Sequence, residues 1–219
     1  MIQASTLQFL KDLKKNNDRD WFNANKARFV EAQDNVAAFT EGLMQQMSGM
    51  DQIEMKPGKK AMMRIYRDVR FSKDKSPYKT RFVGFMKRAT EERRGTYAFN
   101  LEPDNYFVGG GFWGPEPKDL LKIRKGIQEN YDEFLEIVNA PLFVSTFEKV
   151  KGEGVKTAPK GFAKDDPAIE HLRLKQFLIG RNFTEKEVLD PKFGAMCVEI
   201  YHHMRPFLDF MTNLLIQKK

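Results

Sequence analysis

The sequence predicts an α+β fold, in which an antiparallel sheet of about four to five strands is flanked by N-terminal and C-terminal helices. Two patterns in the chain of 219 residues carry this prediction. Near both ends, apolar residues recur at helical steps of three, four or seven positions. In the middle of the chain the period changes to two, and the short connections there indicate an antiparallel meander.

At the N-terminus we expect two helices. Thr6 is of a residue type that caps helices, and Asn16, Asn17 and Asp18 can close the first helix and cap the second. The second helix is predicted over residues 19–47, because apolar residues form a single stripe there: Phe22, Phe29, Val36, Phe39, Leu43 and Met47.

The predicted strands follow the helices. Residues 62–71, 82–88, 96–101 and 106–112 are rich in β-branched and aromatic side chains, and residues 102–105 have the composition of a tight turn. Residues 175–181 are a candidate fifth strand. Three glycines at 109–111 predict a bulge, a bend packed under Trp113, or a close approach of another backbone or a ligand.

Helical spacing returns after Pro115, and a last helix is expected from Pro191 onward. Between them, residues 151–166 are rich in Gly and Lys and are predicted to form a loop, of a length that often carries function. No low-complexity segment or change of composition divides the chain. Residues 1–219 are therefore predicted to form a single domain.

The composition favours a soluble, cytoplasmic protein with a cationic surface. Lys and Arg outnumber Asp and Glu by 37 to 30, which gives a net charge of +7 and a tilt toward anionic partners. Cys197 is the only cysteine, and the longest apolar runs fall far short of the ~20 residues needed to cross a bilayer. Since the N-terminus has no basic segment followed by an apolar run, we expect neither secretion nor a membrane span.

Familiar chemical motifs do not occur in the sequence. A phosphate-binding loop, the dinucleotide-binding glycine pattern and a nucleophile elbow are all missing. With Cys197 and three histidines, His171, His202 and His203, no zinc site of recognised spacing can be written. We therefore expect no metal and no cofactor, and we assign no catalytic residue.

The candidate ligand site is the segment of residues 64–79. As a strand, its first part places four polar side chains on one face: Arg64, Tyr66, Asp68 and Arg70. Arg67 then lies on the other face, where its guanidinium needs a carboxylate, several carbonyl oxygens or a bound anion. Its predicted neighbours on that face are apolar: Met63, Ile65, Val69 and Phe71. An internal salt bridge and a ligand contact both satisfy this need.

On the polar face Asp68 lies two residues from both Arg64 and Arg70. It can hold their guanidiniums in place for a bidentate anion, or the three can form a solvated row. A turn near residues 74–77 is expected to gather a lid beside them, made of Lys75, Tyr78 and Lys79. The hypothesis is a pocket for an anionic ligand, on which the three arginines converge and which this lid and Trp113 complete.

The same segment resembles a known family. The block at residues 64–79, which begins Arg-Ile-Tyr-Arg-Asp-Val-Arg-Phe, is similar to the signature of a bacterial and fungal family called domain of unknown function 2461. Residues 20–26, 109–113, 159–162 and 172–175 agree with it. The resemblance implies one family domain that fills nearly the whole chain, and it implies no enzyme class.

Three functions stay open at this point. The first is the binding, with or without catalysis, of a small phosphorylated or carboxylated ligand at the arginines. The second is nucleic-acid binding along Tyr78, Trp113 and the 151–164 loop, although acidic residues interleave the basic ones. The third is a noncatalytic interaction or structural protein, in which Arg67 pairs with an internal carboxylate.

Overall fold

The computed structural model describes residues 1–89 and 94–216. The chain divides into two compact units. The first comprises Met1–Met86, Ala98–Val108 and Asn182–Glu199, and the second comprises Lys87–Tyr97, Gly109–Arg181 and Ile200–Lys219. Within the described residues there are nine α-helices and one antiparallel sheet of four strands that pair in sequence order, which confirms the predicted α+β class.

The strands are β1 (Phe82–Lys87), β2 (Thr96–Leu101), β3 (Tyr106–Phe112) and β4 (Phe177–Phe183). They correspond to three of the four main predicted strands and to the candidate fifth strand. The turn between β2 and β3 is tight, as predicted, because the Asn105 amide donates to the Glu102 carbonyl oxygen at 2.9 Å.

The predicted strand at residues 62–71 is wrong. In the described part of the chain this segment bends at Ile65 and forms only two isolated antiparallel bridges, Met62 with Gly84 and Tyr66 with Tyr78. The Arg67 amide donates to the Pro77 carbonyl oxygen at 2.9 Å, but proline has no N–H to return a hydrogen bond. The ladder therefore stops at Pro77, and residues 68–76 form a loop.

The helices are α1 (Ala4–Lys15), α2 (Arg19–Ala24), α3 (Lys26–Met47), α4 (Pro117–Glu129), α5 (Tyr131–Val138), α6 (Pro141–Phe147), α7 (Ile169–Leu172), α8 (Glu185–Val188) and α9 (Phe193–Ile216). A 3₁₀ helix, Gly58–Ala61, follows α3 in the chain. The apolar stripe predicted for residues 19–47 is confirmed, since all six of its side chains are buried. Among the described residues, no helix is long and apolar enough to span a membrane.

Two details of the N-terminal helices differ from the prediction. Helix α1 begins after Gln3, and Thr6 is a buried residue of its first turn whose hydroxyl donates to Asn35 Oδ1 at 2.8 Å. The predicted single helix over residues 19–47 is interrupted at Asn25, whose side-chain amide donates to the Trp21 carbonyl oxygen at 2.9 Å. Short polar side chains of this kind compete with the backbone for helical hydrogen bonds.

In the second unit the glycines of β3 allow close backbone packing. A Cβ atom on Gly110 would lie 2.0 Å from the Thr96 carbonyl oxygen, and one on Gly111 would lie 2.1 Å from the Phe177 carbonyl oxygen. The predicted close approach of another backbone is therefore confirmed. Residues 151–166 contain neither a helix nor a strand, as predicted.

Candidate functional site

Residues 67–77 form a loop that is braced by its own side chains, and we call it the Arg67 loop. The Arg67 guanidinium donates to the Asp74 carboxylate through Nη1, and Nη2 donates to Ser72 Oγ at 3.3 Å. Asp74 Oδ1 also accepts from the Ser76 hydroxyl at 2.6 Å and from the Ser76 amide at 2.9 Å. These hydrogen bonds from Ser76, together with the one from Arg67, hold the pKa of Asp74 far below its usual range. Asp74 is therefore ionised at neutral pH and keeps the loop closed on Arg67.

The burial of residues 64–70 follows the predicted alternation, but the burial predicted for Phe71 is not observed. Ile65 is buried, Arg67 and Val69 are half-buried, and the four residues of the predicted polar face are exposed. Phe71, predicted to share the apolar face, is 97 % exposed, because the chain turns at residues 70–71. Arg67 therefore lies beside the polar groups of its own loop, and the internal salt bridge is the alternative that the structure realises.

The predicted ion-pair row consists of one pair. Arg70 Nε donates to Asp68 Oδ1 at 2.9 Å and Arg70 Nη2 donates to Asp68 Oδ2 at 2.6 Å. The hydrogen bonds from Arg70 lower the pKa of Asp68. The Arg64 guanidinium is exposed and makes no hydrogen bond or ion pair within residues 1–89 and 94–216. Asp68 therefore orients one guanidinium and not two.

A cleft of about 430 Å³ opens beside the Arg67 loop in the first unit. It is lined by Lys14, Asn17, Arg67, Asp74, Ser76, Tyr78, Lys79, Thr80, Arg81 and Glu102. Of the residues predicted to bind a ligand, this lining includes Arg67, Tyr78 and Lys79 but not Arg64, Asp68, Arg70 and Lys75. The predicted convergence of three guanidiniums on one pocket is wrong, because Arg64 and Arg70 are exposed and only Arg67 of the three lines this cleft.

Lys79 is held inside this cleft by the backbone. Its Nζ donates to the carbonyl oxygens of Arg64 at 2.7 Å and of Tyr66 at 2.9 Å. Within the described residues it has no carboxylate partner. Burial lowers the pKa of Lys79, and the charges of Arg81, Arg64 and Arg67 lower it further. Lys79 is thus a half-buried cation among other cations.

One wall of the cleft joins the end of α1 to the bridged segment. Asn17 Nδ2 donates to the Tyr78 carbonyl oxygen at 2.9 Å, and the Tyr78 amide donates to Asn17 Oδ1 at 3.1 Å. The Tyr78 side chain is 5 % exposed and stacks on Phe22 with 3.9 Å between ring centroids. Its predicted place on an open lid or a nucleic-acid track is wrong, because the ring belongs to the core.

The other charged side chains at the cleft are loosely paired. Arg81 Nη1 lies 3.9 Å from Glu102 Oε2, and Lys14 Nζ lies 3.4 Å from Asp104 Oδ2. Lys75, which was predicted to lie on the lid, does not line the cleft and donates to the Val69 carbonyl oxygen at 3.0 Å. In total, four basic residues and two carboxylates line the cleft.

Comparison with known proteins decides the family. The model of the family described as "Conserved hypothetical protein (DUF2461)" matches residues 5–210, which is nearly the whole chain. The chain belongs to the DUF2461 family. The match includes the Arg67 loop and every residue that lines the cleft, so both lie within the DUF2461 domain. No curated protein and no solved structure matched the chain.

In this DUF2461 domain, Trp113 belongs to the second unit. There it lines a separate cavity of about 230 Å³, together with residues that include Arg94, Gly111 and Asp119. Its side chain is 43 % exposed, and Arg94 Nη1 lies 2.5 Å from Asp119 Oδ2. Trp113 is thus not part of the cleft that holds Lys79.

Sequence reasoning missed the buried arginine of the DUF2461 domain. Arg88 directly follows β1, its side chain is fully buried, and its guanidinium pairs with Asp209 and donates to Thr212 Oγ1 at 3.3 Å. The partners are more than a hundred positions away in the chain, and so no local pattern could have indicated them. A search of residues 1–89 and 94–216 finds no cluster of three His, Cys, Asp or Glu side chains that could hold a metal ion.

Proposed function

We propose that this protein binds a small phosphorylated or carboxylated molecule in the cleft beside the Arg67 loop. The observation that carries the proposal is the ammonium group of Lys79, which is half-buried and held by two carbonyl oxygens. An ammonium has three protons, so one is left for a ligand. A buried cation is costly without a negative partner, and a bound anion would supply one.

The charges around Lys79 favour an anion over a cation. The cleft is lined by four basic side chains and two carboxylates: Lys14, Arg67, Lys79 and Arg81, with Asp74 and Glu102. Asp74 is already occupied by the hydrogen bonds of its own loop. Arg81 lies 3.9 Å from Glu102 and is free to turn its planar fork toward an oxyanion, which guanidinium groups bind through two parallel N–H donors.

The size and lining of the cleft favour a small molecule. Its volume of about 430 Å³ falls within the range of about 300–1,000 Å³ that is typical of small-molecule sites. Asn17, Ser76 and Thr80 add neutral polar groups to the lining. We infer a ligand that places a terminal phosphate or carboxylate against Lys79 and Arg81 and its polar remainder against these side chains.

A ligand screen by thermal shift, followed by calorimetry, tests the proposal. Inorganic phosphate, sugar phosphates and dicarboxylates are added to the wild type and to two matched variants, Lys79→Met and Lys75→Met. Both lysines donate to backbone carbonyl oxygens, but Lys79 alone lines the cleft. A ligand that stabilises the wild type should bind Lys79→Met about 10- to 100-fold more weakly, and Lys75→Met with unchanged affinity. Equal loss in both variants, or no ligand for the wild type, would contradict the proposal.

One observation also supports the alternative that this is a noncatalytic interaction or structural protein. Asp74 supplies the internal carboxylate at Arg67 that this alternative predicts. If Arg67 acts only in holding the loop, Arg67→Met should lower the melting temperature and leave the ligand affinity of Lys79 and Arg81 intact. Loss of affinity in a folded Arg67→Met variant would instead assign Arg67 to the ligand site.

A further inference from the structure

Two aromatic side chains are exposed on one short stretch outside the cleft. Tyr66 is 51 % exposed and Phe71 is 97 % exposed. Three exposed basic residues lie before, between and after them in the sequence: Arg64, Arg70 and Lys73. We call these five residues the aromatic ridge, and none of them lines the cleft.

The tip of the ridge is held in place by hydrogen bonds. Arg70 is clamped to Asp68 by two of them, the Ser72 amide donates to the Val69 carbonyl oxygen at 3.3 Å, and Lys75 donates to the same oxygen at 3.0 Å. The Phe71 side chain between these groups is therefore exposed on a braced loop. Such preorganisation lowers the entropic cost of binding a partner.

Contacts with the protein hold the Tyr66 side chain in place. Its ring packs on Phe22 and Tyr78, with ring centroids 5.9 and 5.5 Å away, and its hydroxyl accepts from Lys26 Nζ at 3.0 Å. Lys26 also lies over three aromatic rings, at 4.8 to 5.6 Å from their centroids. Tyr66 thus keeps about half of its surface exposed while a cation is held at its hydroxyl group.

The cations of the ridge are only partly neutralised. In the portion of the chain that the structure describes, Arg64, Lys73 and the neighbouring Lys26 have no carboxylate partner. Asp68 is the one acidic residue within 64–73, and its charge is taken up by Arg70. The ridge therefore combines two exposed aromatic side chains with two unpaired positive charges, and the neighbouring Lys26 adds a third such charge.

We infer that the aromatic ridge binds single-stranded nucleic acid, independently of the ligand proposed for the cleft. Unpaired bases stack on exposed aromatic rings whatever their sequence, and Lys and Arg neutralise the phosphates between them. Duplex bases are not open to such stacking. An anionic membrane would require a contiguous apolar tip, whereas Phe71 is flanked by Arg70 and Ser72.

Fluorescence anisotropy with labelled oligouridylate and oligothymidylate of about twelve nucleotides tests the inference. Phe71→Ser and Lys73→Gln are compared with two matched controls on exposed residues elsewhere, Leu142→Ser and Lys186→Gln. Loss of the stacking contact at Phe71 should weaken binding about 5- to 100-fold, and Leu142→Ser should not change it. With three phosphate contacts, raising the salt from about 50 mM to about 200 mM should weaken wild-type binding about 10- to 20-fold.

Three results would overturn the inference: no binding at low salt, equal affinity in Phe71→Ser and Leu142→Ser, or Phe71-dependent sedimentation with phosphatidylserine vesicles without oligonucleotide binding. The variant Arg81→Met separates the two proposals, because Arg81 lines the cleft and pairs with Glu102, which lies outside the ridge. It should keep the oligonucleotide affinity whether or not it loses the small anionic ligand.

Discussion

The pH dependence of anion binding is the sharpest consequence of a half-buried lysine in the cleft. Burial, followed by the charges of Arg81, Arg64 and Arg67, lowers the pKa of Lys79. The ammonium therefore loses its proton at a lower pH than an exposed lysine, whose pKa is about 10.4. A neutral amine gives an anion no charge to bind, and so affinity should fall as the pH rises through the lowered pKa.

The magnitude follows from the contacts. A hydrogen bond to a charged group contributes about 1.5–3 kcal/mol, which sets the total loss at about 10- to 150-fold. Binding should not vanish, because the guanidiniums of Arg67 and Arg81 also line the cleft and can still bind an anion. Since a bound anion favours the ammonium, binding also takes up protons near the lowered pKa.

Calorimetric titration with sulfate from about pH 7 to about pH 10 measures this loss, with circular dichroism as a check on folding at each pH. Sulfate is chosen because its own charge does not change over this interval. Lys79→Met should bind more weakly at neutral pH and show a flat profile. A wild-type affinity that stays constant over the interval, or the same slope in Lys79→Met as in the wild type, would show that Lys79 does not bind the anion.

Three further predictions concern the packing of the first unit. Gly58→Ala should lower the free energy of unfolding in urea by about 1–3 kcal/mol, because the added Cβ would lie 2.1 Å from the Ala37 carbonyl oxygen. Unchanged stability would contradict this packing. Asn17→Ala should lower the free energy of unfolding by about 1–3 kcal/mol and weaken sulfate binding, since it leaves the amide and the carbonyl group of Tyr78 without their Asn17 partner. Full stability and full affinity would show that the cleft wall does not need Asn17. The thiol of Cys197 is fully buried, and burial raises its pKa. It should therefore react with a maleimide or a disulfide reagent only after the protein unfolds. Rapid labelling of the native protein would contradict this packing.

The sequence predicted what depends on local patterns. The stripe from Phe22 to Met47 repeats with the period of a helix, and the segments of β1, β2 and β3 are rich in the β-branched and aromatic residues that favour strands. The alternation of exposure from Arg64 to Arg70 was likewise predictable from a local pattern, although the segment is not a strand. The early end of its pairing was also readable in principle, because Pro77 cannot donate to a ladder.

The arrangement of the site could not be predicted in the same way. Lys79 binds the carbonyl oxygens of Arg64 and Tyr66 only because the chain folds back at the Tyr66 and Tyr78 bridge. Its role depends on backbone atoms, which carry no sequence signal. The pair of Arg67 with Asp74 spans seven residues of irregular loop, where neither the helical nor the strand period applies. The place of Trp113 in another unit likewise follows from the tertiary fold.

A crystal structure of the protein soaked in selenate tests the central claim most directly, because the anomalous signal of selenium marks a bound oxyanion. We expect selenate in the cleft, within hydrogen-bond distance of Lys79 Nζ and of the guanidinium of Arg67 or Arg81. Selenate found only on the outer surface, with the cleft at Lys79 open to the soak and free of any anion, would contradict it.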